Sequence, residues 1–461
     1  MTTIAITGTT AITMDAKRRV IEKATIVFTD DRITQVGAAG DVTIPESAEI
    51  IDGKGTLTLP GLIDSHAHAG HGLTRNLGAR AGGDAWFQAC EDLYTRGSTA
   101  GFWQAEARLS ALERLRAGIT TCTMLLGGGA DHYRTDTREA GDLHCAATRE
   151  AGLRTMVAAG VNRAPFPKTY RSLDQSREIT LSFEDQLAVC AELAETHNDL
   201  LGTGTGVCLI MPVYQPNAVQ ADPQTIRRMC RDVMDLREKA GLLFTQDGHR
   251  DGSIALAETL EIIGPWSYLS HSVDLTEGDM AAAKRSGTSI VHNPSAIMSV
   301  YGRCPAPELR DMGVNVALGS DAAAPDRGYD MFRHMVVGSG QKGRHRDAGP
   351  RTGAFLSADH AADRRRAIRQ CRRCGHGHRQ RQDPDASPQD RSGRTRDPGS
   401  RIARADRCDR TLRAGASSGR IGANLPTRGA RRRINHLLRR RCSAAPSSPF
   451  GKASGQSHQK T

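Results

Sequence analysis

Short apolar runs separated by turn residues fill the first 56 residues of the chain. Residues 3–6, 24–28 and 32–36 are rich in Ile, Val, Thr and Phe, and small or polar residues at 30–31 and 38–40 separate these runs. Runs of this length and composition predict short β-strands joined by turns.

From residue 57 onward, the pattern changes to strands that alternate with helices. The clearest unit covers residues 207–246, where a strand is followed by a helix that begins at Asp222-Pro223 and ends at Gly241, and then by a second strand. The apolar residues of that helix recur at helical spacing, which predicts one buried face: Ile226, Met229, Cys230, Val233 and Leu236. Alternation over roughly 280 residues predicts an α/β fold with a parallel sheet, and at this length a (β/α)8 TIM barrel.

Polar residues follow several predicted strands, at the end where such barrels place their chemistry. His66 and His68 come directly after the apolar run 56–63. In extended backbone the side chains at i and i+2 point the same way, so both imidazoles can reach one ion. Imidazole nitrogens suit Zn²⁺, Co²⁺, Mn²⁺ and Fe²⁺. The alternative is a pair of surface histidines in a loop.

Three later strand ends carry further candidates. Asp321 could hold a metal or take a proton from water, and its alternative role is to cap a helix. His271 could equally be a core histidine with satisfied hydrogen bonds. His292-Asn293-Pro294 ends another predicted strand, but Asn-Pro is a turn signal in any fold.

Taken in chain order, three segments resemble the amidohydrolase superfamily, specifically its cytosine deaminase/chlorohydrolase-like branch: LTLPGLIDSHAH, IVHNPSAIM and LGSDAAAP. The resemblance covers roughly residues 1–336. It implies a metal-dependent hydrolase barrel at 57–336, and a small flanking β-sandwich built from residues 1–56 and a C-terminal portion. It also implies hydrolysis of C–N, C–Cl or C–S bonds at amide-like or heteroaromatic carbons.

After the predicted fifth strand the chain departs from the family pattern. The family usually carries a His and, three residues later, a Glu; here Gln246 takes the place of the His and His249 that of the Glu. Ring deaminases use that Glu to protonate a ring nitrogen. We therefore expect a urea or carbamate carbonyl as substrate, as in the phenylurea and thiocarbamate herbicide hydrolases of this branch, with an apolar wall of Trp86, Phe87 and Tyr301. The alternative is an aminohydrolase or chlorohydrolase of a nucleobase or s-triazine ring.

The candidate residues predict one divalent transition metal per chain, with zinc as the first choice and cobalt, manganese or iron as alternatives. His66, His68 and Asp321 would hold this metal, and His249 or His271 would complete the site. In catalysis, Asp321 would accept the proton of the attacking water and protonated His271 would stabilise the oxyanion. His249 or Asp321 would then protonate the leaving group.

Composition and charge divide the chain near Val337. The whole chain has a net charge of +11, but residues 341–461 contain 27 Arg and 3 Lys against 9 Asp and no Glu. They contain no Val, Tyr or Trp, and too few Ile, Leu and Phe to bury a core. We predict that residues 337–461 are disordered, or that a GC-rich gene is translated there in the wrong frame. A genuine basic tail and a folded appendage are the alternatives.

A nucleic-acid-binding protein is the competing class, because Arg-rich segments attract phosphates. The basic segment lacks interleaved aromatic residues for base stacking, so we do not expect nucleic acid as a partner. Its residues Cys371, Cys374, His376 and His378 could imitate a zinc site, but in surroundings that cannot support a fold. Without an apolar run of membrane-spanning length or a secretory signal, we expect a cytoplasmic protein. The family resemblance implies a homo-oligomer that acts on a small molecule.

Overall fold

The computed structural model describes residues 2–76, 83–128, 132–296, 302–323 and 328–339. Three sequence predictions concern residues outside these ranges: the place of Tyr301 in an apolar wall, the nature of the Arg-rich segment from residue 340 onward, and the cysteine–histidine cluster within that segment.

The first 58 residues form a mixed β-sheet. Its strands are β1 (Thr3–Ile12), β2 (Val20–Thr29), β3 (Arg32–Ala38), β4 (Glu49–Asp52) and β5 (Leu57–Thr58). β1 and β3 pair antiparallel with β2, whereas β4 and β5 pair parallel with β1. Ile4, Ile6, Ile26 and Phe28 form the centre of its apolar cluster. The three predicted strands are confirmed, and the predicted turn at 38–40 coincides with a short 3₁₀ helix, Ala39–Asp41.

Within the described residues, eight parallel strands form the predicted barrel. They are β6 (Leu62–His68), β7 (Ile119–Leu125), β8 (Arg154–Gly160), β11 (Thr205–Ile210), β12 (Leu243–Asp247), β13 (Ser267–Ser270), β14 (Ser289–His292) and β15 (Val316–Leu318), with the hairpin β9 (Lys168–Arg171) and β10 (Glu178–Leu181) inserted after β8. The first and last strands meet at a parallel bridge between Ala67 and Asp321, where the Asp321 N–H donates to the His66 carbonyl at 2.9 Å. The barrel is therefore nearly closed, and the expected fold class is confirmed.

Helices alternate with the barrel strands and pack on their outer faces. They are α1 (Gly83–Asp92), α2 (Ala100–Arg116), α3 (Glu139–Ala151), α4 (Phe183–His197), α5 (Pro216–Ala221), α6 (Pro223–Ala240), α7 (Ser253–Thr259), α8 (Glu277–Ser286), α9 (Ala306–Asp311) and α10 (Met331–Ser339), with a π-helical turn at Leu93–Gly97. α6 agrees with its prediction, because Asp222 accepts the Thr225 N–H at 3.2 Å and Gly241 ends the helix with φ 63°. None of the helices described is both long and apolar enough to cross a membrane.

Alternate residues of each barrel strand face either the helices or the interior of the barrel. On β11, Cys208 and Ile210 belong to the small interior cluster, whereas Val207 and Leu209 belong to the larger core that includes the helices. On β12, Phe244 belongs to that larger core. Because strand side chains alternate, Phe244 and Gln246 lie on one side of β12, and Asp247 lies on the other.

Candidate metal centre

Five buried side chains converge at the carboxyl ends of four barrel strands. His66 and His68 end β6, Asp247 ends β12, His271 follows β13, and Asp321 lies beyond β15. None of the five is more than 7% exposed. The structure thus brings together four of the residues singled out in the sequence and adds one, Asp247, that the motif comparison did not select.

The two carboxylates lie among the three imidazole rings. Asp247 Oδ1 is 2.9 Å from His271 Nε2 and 3.5 Å from His66 Nε2, and Asp247 Oδ2 is 3.5 Å from His68 Nε2. Asp321 Oδ1 is 3.1 Å from His68 Nε2 and 3.6 Å from His66 Nε2. The potential ligand atoms form two groups, and within each group all atoms lie within 4.8 Å of one another. One group comes from His66, His271 and Asp321, and the other from His66, His68 and Asp247.

Hydrogen bonds on the far sides of the rings fix how two of them face this cluster. His68 Nδ1 lies 2.7 Å from the Gly127 carbonyl, which can only accept, so the proton is on Nδ1 and the Nε2 lone pair faces the carboxylates when the ring is neutral. His271 Nδ1 lies 3.3 Å from the Asn293 side-chain amide. The arrangement around His68, in which a second partner orients a ring whose other nitrogen is left for a metal, is usual for metal-binding histidines.

The backbone is strained at two of these positions. His271 and Asp321 both have φ +64°, a conformation that residues other than glycine rarely adopt. His271 directly follows β13, and Asp321 lies three residues after the end of β15. Strain of this kind is concentrated at functional sites, because the surrounding structure must compensate for its cost of about 1–3 kcal/mol.

The charges in the cluster influence one another strongly. Burial opposes protonation of His68, but the hydrogen bond to Asp321 and the charge of Asp247 raise its pKa to about 9. Burial would raise the pKa of Asp321, but the charge of His271 and the contacts with His66 and His68 hold it well below its usual range. Asp247 behaves in the same way: its pKa is lowered by His66 and His271 despite burial. Both carboxylates are therefore ionised.

The environment of His66 supports a metal as the missing partner. Neither ring nitrogen of His66 has a hydrogen-bond partner within the described part of the chain, and burial lowers the pKa of this ring. A neutral imidazole and two ionised carboxylates, all buried, form the type of donor set that binds Zn²⁺ and similar ions. The residues present therefore fit one divalent transition metal.

The structure differs from the sequence expectation for the end of the fifth barrel strand. The Gln246 side chain points away from the cluster and donates to the Pro212 carbonyl at 2.8 Å. Asp247, one residue later, takes the position that the motif comparison assigned to residue 246. The strand pattern contained the necessary signal: Phe244 is an apolar helix-facing residue, so residue 246 must share its side and residue 247 must face inward.

His249, expected as a metal ligand or a proton carrier, lies in the loop after β12. It is not in either group of converging ligand atoms formed by the described residues. Its Nδ1 lies 2.9 Å from Ser253 Oγ, and burial lowers the pKa of the ring to about 4. Its Nε2 is buried and has no hydrogen-bond partner within the described residues, and the ring is close enough to Asp247 and His271 to interact with their charges.

Aromatic rings extend from the His/Asp cluster toward the surface. The ring of His71 is 5.5 Å from that of His68 and 5.9 Å from that of Trp86, and Trp86 is 5.0 Å from Phe87. Phe87 is 42% exposed. Two of the three residues expected to form an apolar wall therefore lie along one path from the cluster to the surface.

Comparisons with known proteins agree with this geometry. The profile of the Amidohydrolase family matches residues 57–353. A 5'-deoxyadenosine deaminase from Methanosarcina mazei is 24% identical over 348 residues, which cover 73% of this chain and 72% of that protein. The fold is similar to that of an adenosine deaminase from Xanthomonas campestris with bound zinc (TM-score 0.58, 18% identity, 73% of each chain covered). It is also similar to atrazine chlorohydrolase from Arthrobacter aurescens complexed with zinc (TM-score 0.55, 21% identity, 71% of this chain and 74% of that chain covered).

Proposed function

Since the chain belongs to the amidohydrolase family, we propose that it is an aminohydrolase that removes the amino group from a heteroaromatic ring, with an adenine nucleoside as the first candidate. Metal-dependent hydrolysis of C–N bonds other than peptide bonds follows from the family and from the buried His/Asp cluster. The more specific part of the proposal is that the substrate is a heteroaromatic ring. It is supported by relatives named as deaminases of adenosine and 5'-deoxyadenosine and by a triazine chlorohydrolase.

This proposal replaces the expectation of a phenylurea or thiocarbamate substrate. That expectation depended on the missing Glu, and none of the three relatives described above is named for such a substrate. The structure offers a group that can act where the Glu was expected, because His249 has a free nitrogen near the cluster.

The observation that carries the proposal is the hydrogen-bond environment of His249. Ser253 Oγ accepts the backbone N–H of Arg250 at 2.9 Å, so its own hydrogen can be donated to His249 Nδ1, also 2.9 Å away. A neutral imidazole that accepts at Nδ1 carries its proton on Nε2. In this tautomer, which we infer from the Ser253 contact, His249 presents a buried N–H donor beside the His/Asp cluster. When water adds to the neighbouring carbon, negative charge develops on the ring nitrogen, and an N–H donor stabilises that charge.

The roles of the residues follow from their positions. A bound divalent metal would be held by His66, His68, His271, Asp247 and Asp321 and would supply a water that is nucleophilic at neutral pH. Asp321 is ionised and can accept the proton of that water. His249 Nε2–H stabilises the negative charge that develops on the ring nitrogen as the carbon becomes tetrahedral. Asp321 then returns the proton to the amino group, which leaves as ammonia.

Neutral His249 polarises the ring but does not transfer a full proton to it, because the imidazolate left behind would be very unstable. We therefore expect a slower ring deaminase than one with a protonated carboxylic acid at this place. Trp86 offers a flat face beside His71, against which a purine or triazine can stack.

The substrate is tested with a panel assayed on the full chain in the presence of Zn²⁺ or Co²⁺. The panel contains adenosine, 5'-deoxyadenosine, guanine, cytosine, an amino-triazine, a chloro-triazine, a phenylurea and a thiocarbamate. Release of ammonia from an aminated ring supports the proposal. Turnover restricted to the phenylurea and thiocarbamate would overturn it and restore the first expectation.

His249 and Ser253 variants test the donor directly. His249→Gln keeps a side-chain N–H donor and should retain kcat within about tenfold, whereas His249→Leu should lose about 10²–10³-fold, the usual effect of removing one donor to a developing charge. Ser253→Ala allows either tautomer and should lower kcat with little change in KM. Equal kcat in His249→Gln and His249→Leu would show that the N–H has no role.

A further inference from the structure

Asp64 lies two residues before His66 but does not face the metal cluster. Its side chain is completely buried, and its carboxylate connects the first and last strands of the barrel. Asp64 Oδ1 accepts the backbone N–H of Ser320 at 2.8 Å, and Oδ2 accepts the Ser320 hydroxyl at 2.5 Å. One carboxylate therefore holds both the backbone and the side chain of the residue directly before Asp321.

The chain around Ser320, where the end of the last barrel strand meets β6, has little conformational freedom. The Asp321 N–H donates to the His66 carbonyl at 2.9 Å. At Gly319, a Cβ atom would lie 2.8 Å from the His66 carbonyl oxygen and 2.3 Å from Asn293 Oδ1, so the two strands approach too closely for a side chain there. Ser320 and Asp321 are thus hydrogen-bonded to β6, and Gly319 packs closely against it. Of these contacts, the one to Asp64 is the one that involves a carboxylate.

Arg114 completes this connection from outside the barrel. Its Nε lies 3.2 Å from Asp64 Oδ2, and its guanidinium lies 3.7 Å from the centre of the Tyr329 ring. The Arg114 and Asp64 side chains are both 0% exposed. Hydrogen bonds to a carboxylate that is paired with a guanidinium are shorter and stronger than those between neutral groups. Arg114 thereby strengthens the contacts between Asp64 and Ser320.

We propose that Asp64 is a positioning residue for the metal centre: through Ser320 it fixes the ligand Asp321 relative to His66. This inference depends on the metal site of the proposed function, and it adds a partner that contacts no ligand atom itself. Partners of this kind typically change metal affinity by about 10–100-fold, because a ligand that is free to move must be ordered when the metal binds.

The test is Asp64→Asn, which keeps the size of the side chain and one acceptor oxygen but removes its charge. The matched control is Asp136→Asn, which breaks another buried ion pair, between Arg134 Nε and Asp136 Oδ1 at 2.9 Å, that contains no ligand of the metal cluster. Zn²⁺ affinity is measured by competition with a chromogenic chelator, and the visible spectrum of the Co²⁺-loaded protein reports ligand geometry. We expect Asp64→Asn to bind Zn²⁺ about 10–100-fold more weakly with an altered Co²⁺ spectrum, and the control to stay within about threefold.

Ser320→Ala provides a milder variant if Asp64→Asn does not fold. It removes the hydroxyl contact and leaves the backbone contact, so we expect a smaller loss of Zn²⁺ affinity in the same direction. Ser320→Thr, which keeps the hydroxyl, should retain the wild-type affinity. Unchanged Zn²⁺ affinity and Co²⁺ spectrum in both Asp64→Asn and Ser320→Ala, with metal bound normally by the wild type, would overturn this inference alone. A wild type that binds no metal would overturn the proposed metal site, and this inference with it.

Discussion

Replacing Asp247 should weaken metal binding, whereas replacing its neighbour Gln246 should not. The two side chains leave opposite faces of β12: Asp247 lies 2.9–3.5 Å from the nitrogens of three histidines, and Gln246 donates to the Pro212 carbonyl. The proposed variants are Asp247→Asn, which removes the charge with little change in shape, and Gln246→Met, which keeps the approximate volume but removes the donor.

The expected sizes follow from these contacts. Partners that only support a ligand are worth 10–100-fold in affinity, so loss of a ligand should cost at least about 100-fold, equivalent to about 2.7 kcal/mol of binding free energy. Gln246→Met leaves the Pro212 carbonyl without its donor, which should lower the free energy of unfolding by about 1–3 kcal/mol. Its Zn²⁺ affinity should change by less than about threefold, since none of the contacts that it loses involves a cluster residue.

Two measurements separate these effects. Zn²⁺ affinity is measured by chelator competition, and the free energy of unfolding is measured by urea titration of the metal-free protein. We expect the Asp247 variant to differ from the wild type mainly in affinity, and the Gln246 variant mainly in stability. If Gln246→Met lost the metal and Asp247→Asn retained it, the assignment of the ligand at the fifth strand would be reversed, and the family pattern would apply to residue 246 after all.

Two further predictions concern stability. Burial and the charge of Arg114 lower the pKa of His144 to about 3. Below pH 6.5 this histidine therefore binds a proton in the unfolded chain but not in the folded chain, so the free energy of unfolding falls as the pH falls. Between pH 7 and pH 5 the metal-free protein should lose about 2 kcal/mol through this group, and a His144→Gln variant that shows the same pH dependence in urea titrations would contradict this. In the N-terminal sheet, four apolar side chains are 42–62% exposed: Val20, Ile33, Ile50 and Leu57. We expect the natural continuation of the chain to cover these side chains. A chain whose reading frame is restored after codon 336 should therefore be more soluble and melt at a higher temperature than this sequence. Equal solubility and melting temperature for the two chains would show that the Arg-rich segment is the genuine continuation.

The barrel could be predicted because its information is local. Each strand is a short apolar run, each helix has a cap or an apolar face, and α6 begins and ends at the residues that the sequence indicated. His66, His68, His271 and Asp321 could be found because each directly follows such a run. The hairpin formed by β9 and β10 was not predicted, because its strands are only four residues long and partly exposed.

Asp247 was missed because spacing within a motif was given more weight than the side on which a residue lies. The family pattern, a His followed three residues later by a Glu, aligns with Gln246 and His249, and this alignment hides the carboxylate between them. Similarly, no feature of the sequence indicates that Ser253 contacts His249, since that contact depends on how the loop after β12 meets the start of α7. Register on a strand can be read from its apolar residues, but contacts between a loop and a helix need the three-dimensional structure.

The centre contains the same kinds of groups that the family pattern leads one to expect, but at the fifth strand their places are exchanged. A carboxylate, Asp247, lies where a ligand imidazole is usual, and an imidazole, His249, lies where an acidic side chain is usual. If both carboxylates held a cation, they would place more negative charge around it, and the water that it supplied would be less acidic. In the mechanism that we propose, His249, with Nδ1 facing Ser253, offers an N–H that polarises a substrate nitrogen without protonating it. Both changes reduce the acid strength of the centre, so the substrate should be a ring whose amino group leaves readily, and Asp321 has to supply most of the proton transfer.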